Sequence, residues 1–265
     1  MKLKKMKNTA LITGASNGIG LELATIFASM GVNLVLVARN GARLNELKAS
    51  LENKFHVQIY VIAKDLSIAN AAHAVYEETK QNKIEIDYLI NNAGFGDFGM
   101  FAETSWEKEL QMIDLNIISL TQFTKLYLQD MLQRNNGKIM NVASTAAFQP
   151  GPTMAVYCAT KAYVLSFTEA VSNEVADKGI TVTALCPGAT ESGFQAAAAM
   201  EESKLVKGRE IPGAKEVAIY GYEAMMKGKT VAIHGTMNYI MANSIRFIPR
   251  AIVLKVSRNI LGKSK

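Results

Sequence analysis

The stretch TALITGASNGIGLELATIF, residues 9–27, sets the architecture of the whole chain. Strand-forming residues from Thr9 to Thr13 run straight into a glycine-rich turn, and the turn runs into apolar residues at helical spacing. Gly14 permits a sharp turn, Gly18 lets backbone amides approach a pyrophosphate, and Gly20 allows close packing of helix on strand, while the helix N-terminus favours an anion. Ser16, Asn17 and Ile19 belong to the same cradle. No Gly-Lys-Ser/Thr follows, which excludes a P-loop.

Working outward, short β-branched runs alternate with longer helical patterns such as GLELATIFASM and GARLNELKASLENKF, the signature of βαβ units. Buried strands are expected at 9–13, 32–38, 57–63, 86–91, 138–143 and 180–186, with a weaker seventh, KTVAIH, at 229–234. The expected fold is a Rossmann-like doubly wound α/β sheet of about seven parallel strands with helices on both faces. Residues 1–265 read as a single dinucleotide-binding domain with a basic amphipathic extension at about 236–265. Ligands of such sheets sit at the carboxyl ends of the strands.

At the end of the second strand, where NAD-preferring folds place an acid for the ribose hydroxyls, the chain reads VARNGAR. Ala38 cannot take that role, and the Arg39 fork suits a 2′-phosphate, with Arg43 one helical turn later. NADP is expected over NAD.

The chain has 265 residues, 49% of them hydrophobic and 20% charged, which fits a soluble globular protein. No apolar run approaches a membrane span, and the N-terminal apolar stretch is too short for a secretory signal. A cytoplasmic setting is expected, with Cys158 and Cys186 as reduced thiols. His56, His73 and His234 lack metal-ligand spacing, so no metal site is expected. The net charge of +6 comes from the two ends: four lysines fall in residues 1–7 and six basic residues in 246–265, with no acid in either segment. The remaining body is net acidic, which argues against nucleic-acid binding.

Three Tyr-x-x-x-Lys pairs occur: Tyr60 with Lys64, Tyr76 with Lys80, and Tyr157 with Lys161. Only the third has a serine thirteen residues upstream, Ser144; the other two have Leu47 and Ala63 there. Residues four apart in a strand, as around Tyr60, are more than ~10 Å apart. With TGASNGIG at the first turn, NNAG at 91–94, Asn116, Ser144, YCATK and Pro187-Gly188 in that order, nearly the whole chain resembles the short-chain dehydrogenase/reductase family. PGATESGF resembles its DltE-like bacterial subgroup.

The resemblance implies reversible reduction of a ketone or aldehyde to an alcohol, with Asn116, Ser144, Tyr157 and Lys161 as catalytic residues. A free phenol has a pKa near ~10, and a nearby ammonium lowers it, so Lys161 is expected to tune Tyr157 as general acid/base. Ser144 orients the substrate oxygen. By family analogy Lys161 also holds the nicotinamide ribose and Asn116 holds a water of the proton relay. Asp65 and Leu66 match the adenine position, Asn92, Ala93 and Gly94 pass beside the cofactor, and Pro187, Gly188 and Thr190 complete its binding loop. A non-catalytic NADP-binding redox sensor is the alternative, disfavoured because a sensor has no need for a tuned phenol. Family habit implies a homodimer or homotetramer.

Phe95, Phe148, Met154 and Phe194 suggest an apolar pocket for a small carbonyl or alcohol substrate. In PRAIVLKVSRNILGK, Ile252, Val256 and Ile260 make one stripe that covers the pocket, joins subunits or rests on a membrane surface, packing on its own protein being the expected outcome.

Overall fold

The computed structural model describes residues 8–193 and 211–261. Seven strands, β1 (Thr9–Thr13), β2 (Asn33–Ala38), β3 (Ile59–Ala63), β4 (Tyr88–Asn91), β5 (Gly137–Val142), β6 (Ile180–Cys186) and β7 (Val231–Ile233), form one sheet in the order β3-β2-β1-β4-β5-β6-β7. Every neighbouring pair is parallel. The strand order reverses between β1 and β4, which opens the crevice where doubly wound sheets bind their ligands.

The strands hold because β-branched and aliphatic side chains are buried on both faces: Leu11, Val35, Leu89 and Ile139 face one helical layer, and Ile12, Leu36, Ile90 and Met140 the other. Helices α1 (Gly18–Ser29), α2 (Gly41–Phe55) and α7 (Ala214–Met226) cover one face through Phe27, Leu44 and Met225. The other face takes α3 (Ala71–Gln81), α5 (Leu120–Arg134) and α6 (Ala155–Glu174) through Val75, Phe123 and Val171. Helix α4 (Trp106–Ile113) leads into α5 through a π-helical segment, Asp114–Ser119. Helices α8 (Thr236–Ser244) and α9 (Arg250–Leu261) follow β7. Strand β3 starts two residues later than expected, at Ile59, because pairing with β2 begins at Leu34.

The two other Tyr-x-x-x-Lys pairs serve structure. Tyr60 donates to Glu78 at 3.1 Å. Tyr76 and Lys80 both reach Asp130, at 3.2 and 3.1 Å, and tie α3 to α5.

Beneath the crevice, Asn91 donates to Thr124 Oγ1 at 3.0 Å and to Asn141 Oδ1 at 2.9 Å, and Asn141 donates to Thr168 Oγ1 at 3.0 Å. All four residues are buried. This ladder locks the centre of the sheet to α5 and α6, so Asn141→Ala should leave Asn91 with only its Thr124 acceptor, remove the link to Thr168, and lower stability by about 2–4 kcal/mol, measured by urea unfolding.

Candidate active site

The glycine-rich turn leaves β1 with Gly14 at φ +67°, its amide donating to Val37 O at 2.8 Å. A Cβ at Gly14 would lie 2.8 Å from Asn92 Nδ2, and one at Gly20 would collide with the Gly14 carbonyl. Gly20 therefore admits the turn itself, rather than only packing helix on strand. Asn92 clamps the turn by donating to the Thr13 carbonyl at 2.9 Å and the Gly14 carbonyl at 3.2 Å. Thr13 Oγ1 accepts from the amides of Asn92 and Ala93 at 3.0 and 2.9 Å. Sequence reasoning missed Thr13, whose hydroxyl ends a strand that otherwise reads as core. Ser16, Asn17 and Ile19 occupy the turn and the start of α1, and the loop after β6 comes over them. A Cβ at Gly18 would lie 3.0 Å from Ser192 Cβ, and one at Gly193 would lie 3.1 Å from Asn17 Nδ2. Glycines at 18 and 193 are thus what let the loop after β6 come down on the turn.

Along the same edge, Arg39 follows β2 with an exposed side chain, and Arg43, also exposed, stands in the first turn of α2 with its amide donating to Asn40 Oδ1 at 3.0 Å. No acid ends β2. Asp65 after β3 accepts from Ser67 N at 2.9 Å and Ser67 Oγ at 2.7 Å. Burial would raise its carboxyl, but the Ser67 hydrogen bonds and the Arg39 charge hold it below the usual range. Leu66 beside it is buried. This donor and charge set fits a dinucleotide with a 2′-phosphate.

Ser144, Tyr157 and Lys161 meet at the carboxyl ends of β5 and β6, all three buried. Ser144 Oγ accepts from Ala146 N at 3.1 Å, lies 3.4 Å from Pro187 O, and hydrogen-bonds the Tyr157 phenol. Lys161, one turn along α6, donates from Nζ to Val142 O at 2.8 Å and stands 5.9 Å from the centre of the Tyr157 ring. Burial lowers the Lys161 ammonium to about 8, while the nearby Cys186 acts to raise it. Burial pushes the Tyr157 phenol up, and its Ser144 hydrogen bond opposes the rise. The expected lowering of Tyr157 by Lys161 is therefore not found. The ammonium directs one donor to the Val142 carbonyl and is itself desolvated, so with the phenol still protonated its desolvation dominates.

Asn116 is fully buried in the π-helical segment, a common irregularity at functional sites. Its Nδ2 donates to Phe95 O at 3.0 Å and Thr160 Oγ1 at 3.1 Å, and its Oδ1 accepts from Phe95 N at 3.3 Å. A Cβ at Gly94 would lie 3.0 Å from Asn116 Oδ1 and 3.4 Å from Lys161 Nζ, so the loop after β4 passes directly over this centre. Beyond β6, Thr190 Oγ1 donates to Gly188 O at 3.0 Å, and a Cβ at Gly188 would lie 2.6 Å from Asn238 Nδ2 on α8.

The short chain dehydrogenase pattern matches residues 8–203, which contain Asn116, Ser144, Tyr157 and Lys161. The chain belongs to the short-chain dehydrogenase family. An uncharacterized oxidoreductase of Staphylococcus epidermidis is 30% identical over 82% of this chain and 92% of its own length. The very-long-chain 3-oxoacyl-CoA reductase of Mus musculus is 30% identical over 67% of this chain, which spans only 58% of that protein. Among solved structures, a short-chain dehydrogenase from Sphingobium yanoikuyae in complex with NADPH superposes with a TM-score of 0.81 at 31% identity, over 91% of this chain and 94% of that one.

On the substrate side, this short-chain dehydrogenase gathers Met112, Met154, Tyr157, Cys158 and Leu261 into one buried cluster, with Phe95 and Phe98 packed against it. A shallow cleft opens there, lined by Met112, Met154 and Tyr157 and also by Asp97, Thr104 and Glu109. Asp97 pairs with Lys108 at 2.6 Å, and the buried Glu109 accepts from Thr104 Oγ1 at 2.6 Å. The expected pocket is apolar on one wall only. Glu109 escaped the sequence reading because an acid in the first turn of a helix ordinarily faces water. Phe148 is not part of this pocket: it packs against the separate cluster of Ala143, Val164 and Ile233, because the short turn at Thr145–Ala147 carries it back over the sheet edge. Phe194 lies outside the described residues.

The extension at 236–265 does reach the pocket, by a different stripe from the expected one. Val253, Ser257 and Leu261 are the buried residues of α9, and a Cβ at Gly151 would lie 3.2 Å from Leu261 Cδ1. Ile252, Val256 and Ile260 are exposed at 51%, 49% and 37%.

Proposed function

We propose that the chain is an NADP(H)-dependent reductase that interconverts a ketone or aldehyde with an alcohol through Tyr157, Ser144 and Lys161. The observation that carries this reading is the meeting of the buried Ser144, Tyr157 and Lys161 at one end of the sheet, with the Lys161 ammonium 5.9 Å from the centre of the Tyr157 ring and Gly94 passing close to Lys161 and Asn116. The bound dinucleotide supplies a hydride to the carbonyl carbon. Ser144 and Tyr157 hydroxyls converge on the carbonyl oxygen and orient it. Because burial keeps the phenol protonated through neutral pH, Tyr157 is a loaded donor, and it gives its proton to the oxygen as negative charge develops there. Lys161 stabilises the phenolate left behind. The side chain of Asn116 is engaged by Phe95 and Thr160, so any water that recharges Tyr157 is held by the Asn116 main chain, with the side chain as a brace. Arg39, aided by Arg43, would hold the 2′-phosphate, while Asp65 and Leu66 would bind at the adenine and Gly188 and Thr190 at the nicotinamide end.

The substrate's apolar body rests on Phe95, Met112 and Met154. The likeness of PGATESGF to the DltE-like subgroup supports that finer assignment, and on this reading residues 1–265 form one catalytic domain. The exposed Trp106, Leu110, Ile118 and Tyr163 on the helices bearing Asn116 and Tyr157 provide an apolar surface for a homodimer or homotetramer. Two buried free cysteines suit a reducing, cytoplasmic setting.

Oxidation of NADPH against ketones and aldehydes of graded chain length tests the reading: turnover should rise with apolar size, and no turnover across the panel would refute it. A pH dependence follows from Lys161. Below pH about 8 its ammonium is charged and supports the phenolate; above it the support is lost as the proton leaves. The rate of reduction should therefore fall as pH rises through about 8, read from kcat against pH.

A further inference from the structure

The outer side of α8 and α9 differs from the rest of the surface. Among the described residues, ten of the nineteen well-exposed large apolar side chains lie between Met237 and Ile260. Phe247, in the turn joining the two helices, is 88% exposed, and Met237 is 66% exposed. Ile252, Val256 and Ile260 recur every four residues, so they form a continuous outer stripe beside the buried one. Cations frame this surface. Arg246 and Arg250 flank Phe247, Lys255 and Arg258 follow on α9, and all four are exposed. No acidic residue occurs after Glu223 in the sequence.

We propose that this face docks on the surface of an anionic lipid bilayer. Apolar side chains standing among cations, on a segment without an acid, match the boundary between acyl chains and headgroups: Phe247 and the Ile252 stripe enter the acyl edge while the arginines and Lys255 meet lipid phosphates. No helix among the described residues is long and apolar enough to cross a membrane, so the contact lies on the surface. A second copy is a poorer occupant, because a two-fold contact would set these cations against each other with no carboxylate between them. The inner side of α9 ends at Leu261 in the cluster that contains Tyr157, so docking brings the cleft to the bilayer. If the proposed reduction holds, its substrate is a carbonyl compound dissolved in lipid.

Co-sedimentation of the full chain with phosphatidylcholine vesicles, with and without 30% phosphatidylglycerol, tests docking without reference to turnover. Binding is expected only with the anionic lipid, and the triple variant Arg250→Glu, Lys255→Glu, Arg258→Glu should weaken it at least ~10-fold. Phe247→Ser with Ile252→Ser should weaken it as well. These side chains are exposed, and unchanged melting temperatures would confirm intact folds. Competition by 0.5 M salt on the unaltered chain gives a second readout, and binding should fall. Absence of binding to anionic vesicles would overturn the proposal, as would equal binding to neutral ones. A dimer that Phe247→Ser with Ile252→Ser dissociates, with no vesicle binding, would instead assign the face to a second copy.

Discussion

Tyr157→Phe should lower kcat for carbonyl reduction by roughly 10³-fold while leaving the affinity for NADPH within about twofold. The ring keeps its packing among Met112, Met154 and Cys158, so the fold and the cofactor cradle lose nothing. What disappears is one hydroxyl, the only group of this centre with both a Ser144 hydrogen bond and a proton held firmly at neutral pH. Stopped-flow NADPH oxidation gives the rate, and quenching of protein fluorescence gives the affinity. A variant that keeps more than a tenth of the activity would show that the proton comes from elsewhere.

The second large effect concerns the cofactor. Arg39→Ala should raise KM for NADPH roughly 10- to 100-fold and leave KM for NADH nearly unchanged, since a charge-assisted pair with a phosphate stabilises by about 1.5–3 kcal/mol. Arg39 is exposed and its removal leaves the packing of β2 intact, so a loss confined to NADPH isolates the 2′-phosphate contact. Equal constants for the two cofactors in the unaltered chain would contradict the assignment.

The sheet was legible because its strands are buried on both faces, which leaves uninterrupted β-branched runs, and because glycine is needed where the Gly14 turn and Asn92 press together. Ser144, Tyr157 and Lys161 were legible only as a set: the Tyr76–Lys80 pair has the same helical spacing and spends it on Asp130. Other features depend on long-range packing. The π-helical turn at Asn116 has no periodic signature, and the sign of the Tyr157 shift depends on how deeply the phenol is buried. Helix α9 misled in an informative way. Two adjacent stripes run along it, and the serine at 257 made the buried one look polar, while the fully apolar stripe faces outward. Hydrophobic pattern alone identifies apolar faces but not what covers them.

The central claim is geometric, and a crystal structure of the chain with NADP and an unreactive ketone analogue tests it most directly. The account predicts the analogue's oxygen within hydrogen-bond reach of both Ser144 Oγ and Tyr157 Oη, with the nicotinamide ring facing the carbonyl carbon. An oxygen held by other groups, with Tyr157 still bonded to Ser144 and turned from the ligand, would contradict it.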